Sequence, residues 1–188
     1  MNPDAVFTRS FSALILSAIL FNNNQRKFLK DETLEELFER VKRYITKEKD
    51  FRGFVIEKGW AHSAAHIADV IGCFASNENI STEKVFELLY VYKDMFLGSN
   101  DVFTHNEDER IIEAVSKLYE RADFDENQLI KWIETIDKSM FKNAYPEDQY
   151  ITINSKLLLR SLYFKLLNKG NSQIIVDAIL KQLDLFKF

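Results

Sequence analysis

At 188 residues the chain has room for one domain burying roughly 70% of its unfolded surface, and a 46% hydrophobic content with 16 Phe supplies the core. Charged residues make up 29% with a net charge of -4, an ordinary globular balance that excludes a disordered chain. No dense Lys/Arg run is present to neutralise phosphates, which argues against nucleic-acid binding, and a lone Cys73 rules out an intramolecular disulfide or a thiolate zinc site. The expected location is cytoplasmic.

Eight helices are predicted in chain order, near residues 4–21, 31–48, 58–76, 82–97, 107–122, 126–144, 153–168 and 171–186. The first contains the apolar run Phe11 to Phe21. Asp4 stands where a signal peptide needs positive charge, and no small-residue cleavage site precedes Asn22, Asn23 and Asn24. The run is about half the length of a membrane span, so a buried first helix is expected and no membrane. The second helix repeats Leu34, Leu37, Phe38, Val41 and Ile45 at three- and four-residue spacing. Thr33 with Glu36, Asn106 with Glu109 and Asp125 with Gln128 have capping-box spacing.

Glycine and proline number only five and two, and Pro3, Gly98, Pro146 and Gly170 fall at expected helix boundaries. The alternation Tyr150, Ile151, Thr152, Ile153 is strand-like but has no partner strand, so helix is expected. The helices group in pairs starting near residues 4, 58, 107 and 153, roughly fifty residues apart, near the period of HEAT and armadillo repeats. The expected fold is therefore a single all-α domain, residues 1–188, built as a short superhelix of antiparallel helical hairpins. A closed helical bundle is the alternative.

The third helix differs from the rest. Between Gly59 and Ser76 its only charged side chain is Asp69. At 100° per residue His62, His66, Asp69 and Cys73 share a stripe about 60° wide, beside a small-residue stripe of Ala61, Ala65, Ala68 and Gly72. A helix with no solvated face is an interior helix. Upstream, Asp50, Arg52, Glu57 and Lys58 crowd its start, Gly53 and Gly59 permit tight chain paths, and Trp60 sits in the expected first turn with an indole N–H to donate.

Asp50-Phe51-Arg52-Gly53, followed by KGWAHSAAHIAD from Lys58 to Asp69, resembles a bacterial family catalogued as domain of unknown function 2785. Glu107-Asp108-Glu109-Arg110 and Arg9-Ser10-Phe11 are similar to further stretches of that family. The resemblance spans most of the chain and implies an all-helical domain; it implies no activity.

Two chemistries compete for the stripe. His62, His66 and Asp69 have the spacing of ligands on one helix face and would hold a divalent metal such as Zn²⁺ with an open position for water. Ser63, however, stands where a zincin needs Glu. The other reading is a satisfied core network in which the histidines pair with Asp69 or with neighbouring carboxylates. Arg52 and Lys58 would bind an anion, or else Arg52 would lock onto Asp50, Glu57 or a distant acid such as Glu107 or Asp108. Asn106 is expected as an N-cap, Cys73 as an inert core thiol, and Phe86, Tyr90, Tyr92, Phe96 and Trp132 as core. No phosphate loop, nucleophile elbow or dinucleotide fingerprint is present. The functional expectation is a non-enzymatic, cofactor-free helical-repeat domain that binds a protein partner or itself along a concave surface. The alternative is a metal-dependent enzyme or anion binder at the His62/His66/Asp69 stripe.

Overall fold

Apolar residues recurring at helical spacing fold into α1 (Ala5–Arg26), α2 (Asp31–Lys47), α3 (Ser63–Ala75), α4 (Thr82–Leu97), α5 (Glu107–Tyr119), α6 (Glu126–Glu134), α7 (Glu147–Leu167) and α8 (Gln173–Leu185). The computed structural model describes residues 4–167 and 172–187, so the expected boundary residues Pro3 and Gly170 lie outside the described residues. Among those described, the only sheet is an antiparallel hairpin of β1 (Phe54–Val55) and β2 (Gly59–Trp60). The chain is all-α.

The packing order follows a simple rule. α1, α3, α5 and α7 contact one another in series, as do α2, α4, α6 and α8, and the two series meet through α3–α4, α4–α7 and α7–α8. Ties along a series recur at similar sequence separations. Ser10 and His66 are 56 residues apart, Asp69 and Arg110 41, Glu113 and Lys165 52, and Glu134 and Lys181 47. The core runs between the two series, with Phe38 edge-on to Phe74 at 5.7 Å and Phe96 stacked on Phe103 at 4.1 Å.

Four expected boundaries change. α3 begins at Ser63 rather than near 58, because residues 52–62 form the hairpin and its flanking hydrogen bonds, from Ala61 N–H to the Gly53 carbonyl and from His62 N–H to the Arg52 carbonyl. The helix expected over 126–144 ends at Glu134, and Asp137 caps a separate 3₁₀ turn at Lys138–Met140 by accepting from Ser139 N–H. α7 starts directly after Pro146, six residues earlier than expected, and Tyr150 to Ile153 are helical as anticipated. α1 runs on to Arg26.

Caps also differ in part. Asp125 accepts from Asn127 N–H at the start of α6, but α2 opens at Lys30–Asp31 and leaves Thr33 inside the helix. Asn106 has a left-handed backbone with φ 63° and makes no side-chain cap.

The expectation of a buried first helix needs correction. α1 buries Val6, Ser10, Ala13, Ser17, Leu20 and Asn23, whereas Phe11, Ile15, Ile19 and Phe21 are exposed, Ile15 at 61%. A helix apolar on all sides presents one face to α3 and leaves the opposite one uncovered. By length and composition alone, α1 also meets the criteria for crossing a membrane.

Candidate functional site

α3 is an interior helix, as its sequence requires: every residue from Ser63 to Ala75 except Asp69 is buried. α1 lies on one side of it and α5 on another. The residues of the polar stripe separate between these neighbours. His66 Nδ1 lies 2.7 Å from Ser10 Oγ and 3.2 Å from the Ser10 carbonyl oxygen, and the Cys73 thiol donates to the Ser17 carbonyl at 3.3 Å. Asp69 turns to α5 and accepts two hydrogen bonds from Arg110 Nη1, at 2.9 and 2.8 Å. Gly72 of the small stripe also faces α5, where a Cβ on it would meet Lys117 Nζ at 3.3 Å and Ala114 Cβ at 3.7 Å.

His62 is not part of the helix. It is the residue before α3, with a left-handed backbone of φ 49° and ψ 38°. That conformation is uncommon for a side chain with a Cβ, and it swings the imidazole out of helical register. Its Nε2 lies 3.2 Å from the His105 carbonyl oxygen and 3.4 Å from Glu107 Oε1. The Glu107 carboxylate is almost fully buried, and its Oε2 accepts from the His105 backbone N–H at 2.8 Å. Burial pushes the Glu107 carboxyl up, but the hydrogen bonds from His62 and from backbone N–H groups outweigh it and hold the group below the usual glutamate value. His66 is displaced below the ordinary histidine value, first by burial and then by the neighbouring His62.

All three histidines of the chain therefore gather at one place. The rings of His62 and His66 stand 5.8 Å apart, and those of His62 and His105 6.3 Å apart. Trp60 does not open a helix, as expected from sequence; it sits on β2 and stacks on His62 at 4.7 Å, with Phe54 edge-on at 5.2 Å and His105 edge-on at 5.3 Å. Phe11 of α1 meets His66 edge-on at 5.6 Å. Sequence reasoning missed His105 and the role of Glu107, which it placed at the start of a helix. The available signal was that the third histidine stands two residues before the acidic 107–110 patch.

The charged cluster before α3 resolves into pairs. Arg52 donates to both oxygens of Asp50, Nε at 2.9 Å and Nη2 at 2.7 Å, and Asp50 is one of the lock partners anticipated. Lys58 Nζ bonds both oxygens of Asp4 at 2.9 Å. The Asp50 carbonyl accepts from Ser63 Oγ at 2.6 Å, tying this loop to α3. A further pair was not foreseen. Arg9 of α1 donates to both oxygens of the buried Glu48, which also accepts the N–H groups of Lys49 and Asp50. Burial raises the Glu48 carboxyl, while Arg9 and these two N–H groups bring it below its usual value.

The expected His62, His66, Asp69 ligand set does not assemble. Asp69 is engaged by Arg110, His66 points its Nδ1 at Ser10, and His62 leaves the helical face. Among the described residues, no group of three or more His, Cys, Asp or Glu side chains is placed to hold a metal ion. Chemically the cluster is a closed polar network under an aromatic cover, in which Trp60 remains 45% exposed, Phe54 52% and Ile56, at the hairpin turn, 82%.

No curated protein and no solved structure matches the chain. The model of the family described as protein of unknown function (DUF2785) matches residues 1–164, a span from the N-terminus through most of α7, and the chain belongs to that family.

Proposed function

We propose that the chain is a non-enzymatic helical-repeat interaction domain of HEAT-like plan, which binds a protein partner through the surface around Trp60. One observation carries this reading. The histidines beside Trp60 are paired within the chain, whereas Phe54, Ile56 and Trp60 stay exposed. A rigid, satisfied network carrying an exposed aromatic cluster has the composition of an interface hot spot, where Trp is enriched. The serial packing of alternate helices at separations of 41 to 56 residues supports the repeat plan. Charged pairs at Arg52 and Lys58 position the loop in this reading and hold no anion.

The test is capture from a host extract by wild-type protein and by Trp60→Ala. Capture of a specific partner by the wild type and its loss in the variant is expected, with a thermal midpoint changed by no more than a few degrees. Equal capture by both proteins would sink the assignment of the surface.

A further inference from the structure

A polar cavity of about 220 Å³ lies where the last turn of α1 meets the turn joining α3 to α4, lined by Asn23, Asn24, Asn77, Asn79, Lys27 and Glu78 among others. Hydrogen bonds fix much of its wall. Asn24 Nδ2 donates to the Cys73 carbonyl at 2.8 Å, Asn77 Nδ2 to Asn24 Oδ1 at 2.8 Å, and the Asn79 N–H to Asn77 Oδ1 at 2.9 Å. The polar groups left over divide by wall. On the α1 side, Asn23 is only 3% exposed, and its carboxamide oxygen accepts the Leu29 N–H at 2.7 Å. That bond orients the amide, whose N–H₂ has no partner among the described residues. Lys27, the left-handed residue that ends α1, adds an ammonium to the same wall. On the α3–α4 side stand the Glu78 carboxylate and Asn79, whose Nδ2 donates to Asp31 at 2.9 Å and leaves Oδ1 to accept. Among the described residues, Lys27 and Glu78 form no ion pair, either with each other or with another group.

We infer that this cavity binds a small zwitterion, a free α-amino acid whose carboxylate meets Lys27 and the Asn23 N–H₂ and whose ammonium meets Glu78 and Asn79 Oδ1. Donors stand on one wall and acceptors on the other, which matches a molecule that carries an anion and a cation on neighbouring atoms. A plain anion would have Glu78 as a like charge, and a plain cation would have Lys27. The volume sets the size. It falls below the roughly 300–1,000 Å³ of pockets for drug-sized ligands, which suits an amino acid and excludes a nucleotide. Leu29 is the only apolar residue in the lining, so the side chain of the ligand is short or polar. Closing Lys27 directly onto Glu78 would still leave the Asn23 N–H₂ unmet, and a buried donor requires a partner. Water would meet that amide but would leave both charges without a counterpart. The cavity and Trp60 flank opposite ends of α3, whose 13 residues span about 20 Å. The inference therefore makes no use of the interaction-domain reading, and each can fail without the other.

Titration of the dialysed full chain with L-serine, L-asparagine and L-glutamine, each to about 10 mM, tests it through the thermal midpoint. The side-chain amide signals of ¹⁵N-labelled protein give a second readout at the site itself. At least one of the three is expected to raise the midpoint saturably and to shift the Asn23 amide signals. Ethanolamine, which keeps the ammonium alone, and L-lactate, which keeps the carboxylate alone, should leave both readouts unchanged. Lys27→Met and Glu78→Gln should each weaken binding about tenfold, as expected for losing one charge-assisted bond. Neither side chain pairs within the chain, so the ligand-free midpoint of both variants should match the wild type. No response to any of the three amino acids would overturn the inference. So would a response to ethanolamine or L-lactate as strong as theirs, which would make the cavity a site for a simple ion. Binding that survives both substitutions would place the ligand elsewhere and overturn it equally.

Discussion

The His105 ring occupies the space that a side chain on Gly53 would need: a Cβ there would lie 2.1 Å from Nδ1 and 2.7 Å from Cγ. Because Cγ is the root of the ring, no terminal rotation relieves the clash. Gly53→Ala is expected to cost about 1–3 kcal/mol of stability, the range for overpacking. His105→Ala should recover part of that loss in the double variant, a coupling that denaturant melts of the four proteins would measure. Additive losses would show that the two residues do not compete for one space.

Glu107 is the acid on which His62 and His105 converge. Glu107→Gln keeps the shape but removes the charge facing His62, and a loss of about 1–3 kcal/mol is expected. Urea unfolding at pH 7 is the measurement, and a change within error would show that Glu107 is dispensable to the network.

Asp69 offers the contrast. Its pair with Arg110 is half-exposed, with side chains 25% and 48% accessible, and such pairs contribute at most about 1 kcal/mol. Asp69→Ala and Arg110→Ala should each be mild, and elemental analysis of untagged protein should return far less than one metal per chain. A large loss of bound metal on Asp69→Ala would restore the ligand-set reading.

Stability should fall on acidification in two stages. His66 titrates below its ordinary value of 6.5 when folded, so as pH drops through 6.5 the unfolded chain takes up the proton first and is favoured. Glu48 and Glu107 titrate below 4.5 when folded. Their contribution is present above that value and is lost as pH falls through the depressed folded values. Thermal midpoints at pH 7, 5.5 and 4 should decrease in order, and His66→Gln should flatten the first interval. A midpoint that rises between pH 7 and 5.5 contradicts the assignment.

Helix positions were legible wherever apolar spacing was regular, as along Leu34, Phe38, Val41 and Ile45, all buried on α2. The interior character of α3 was legible from its missing charges. The hairpin was not, because its strands are two residues each and its turn depends on Glu57 and Gly59 adopting positive φ, at 68° and 86°. Short strands carry no periodicity to detect. That local turn moved Trp60 and His62 off the helix and separated the stripe that linear spacing had joined. The outer face of α1 was misjudged for a different reason. An apolar run reports that burial is favourable, and it does not say which molecule provides the cover.

The serial packing of alternate helices also bears on how the chain folds. Helical domains usually reach the native state quickly because their contacts are local in sequence. Here α3 completes its surroundings only when α1, some fifty residues earlier, and α5, some forty later, arrive together. Pairings over such separations should make its refolding slower than that of a helical bundle whose helices pack only on their chain neighbours. It also means that removing α1 would strip one whole side from α3, so the chain should lose cooperativity rather than shorten by one repeat.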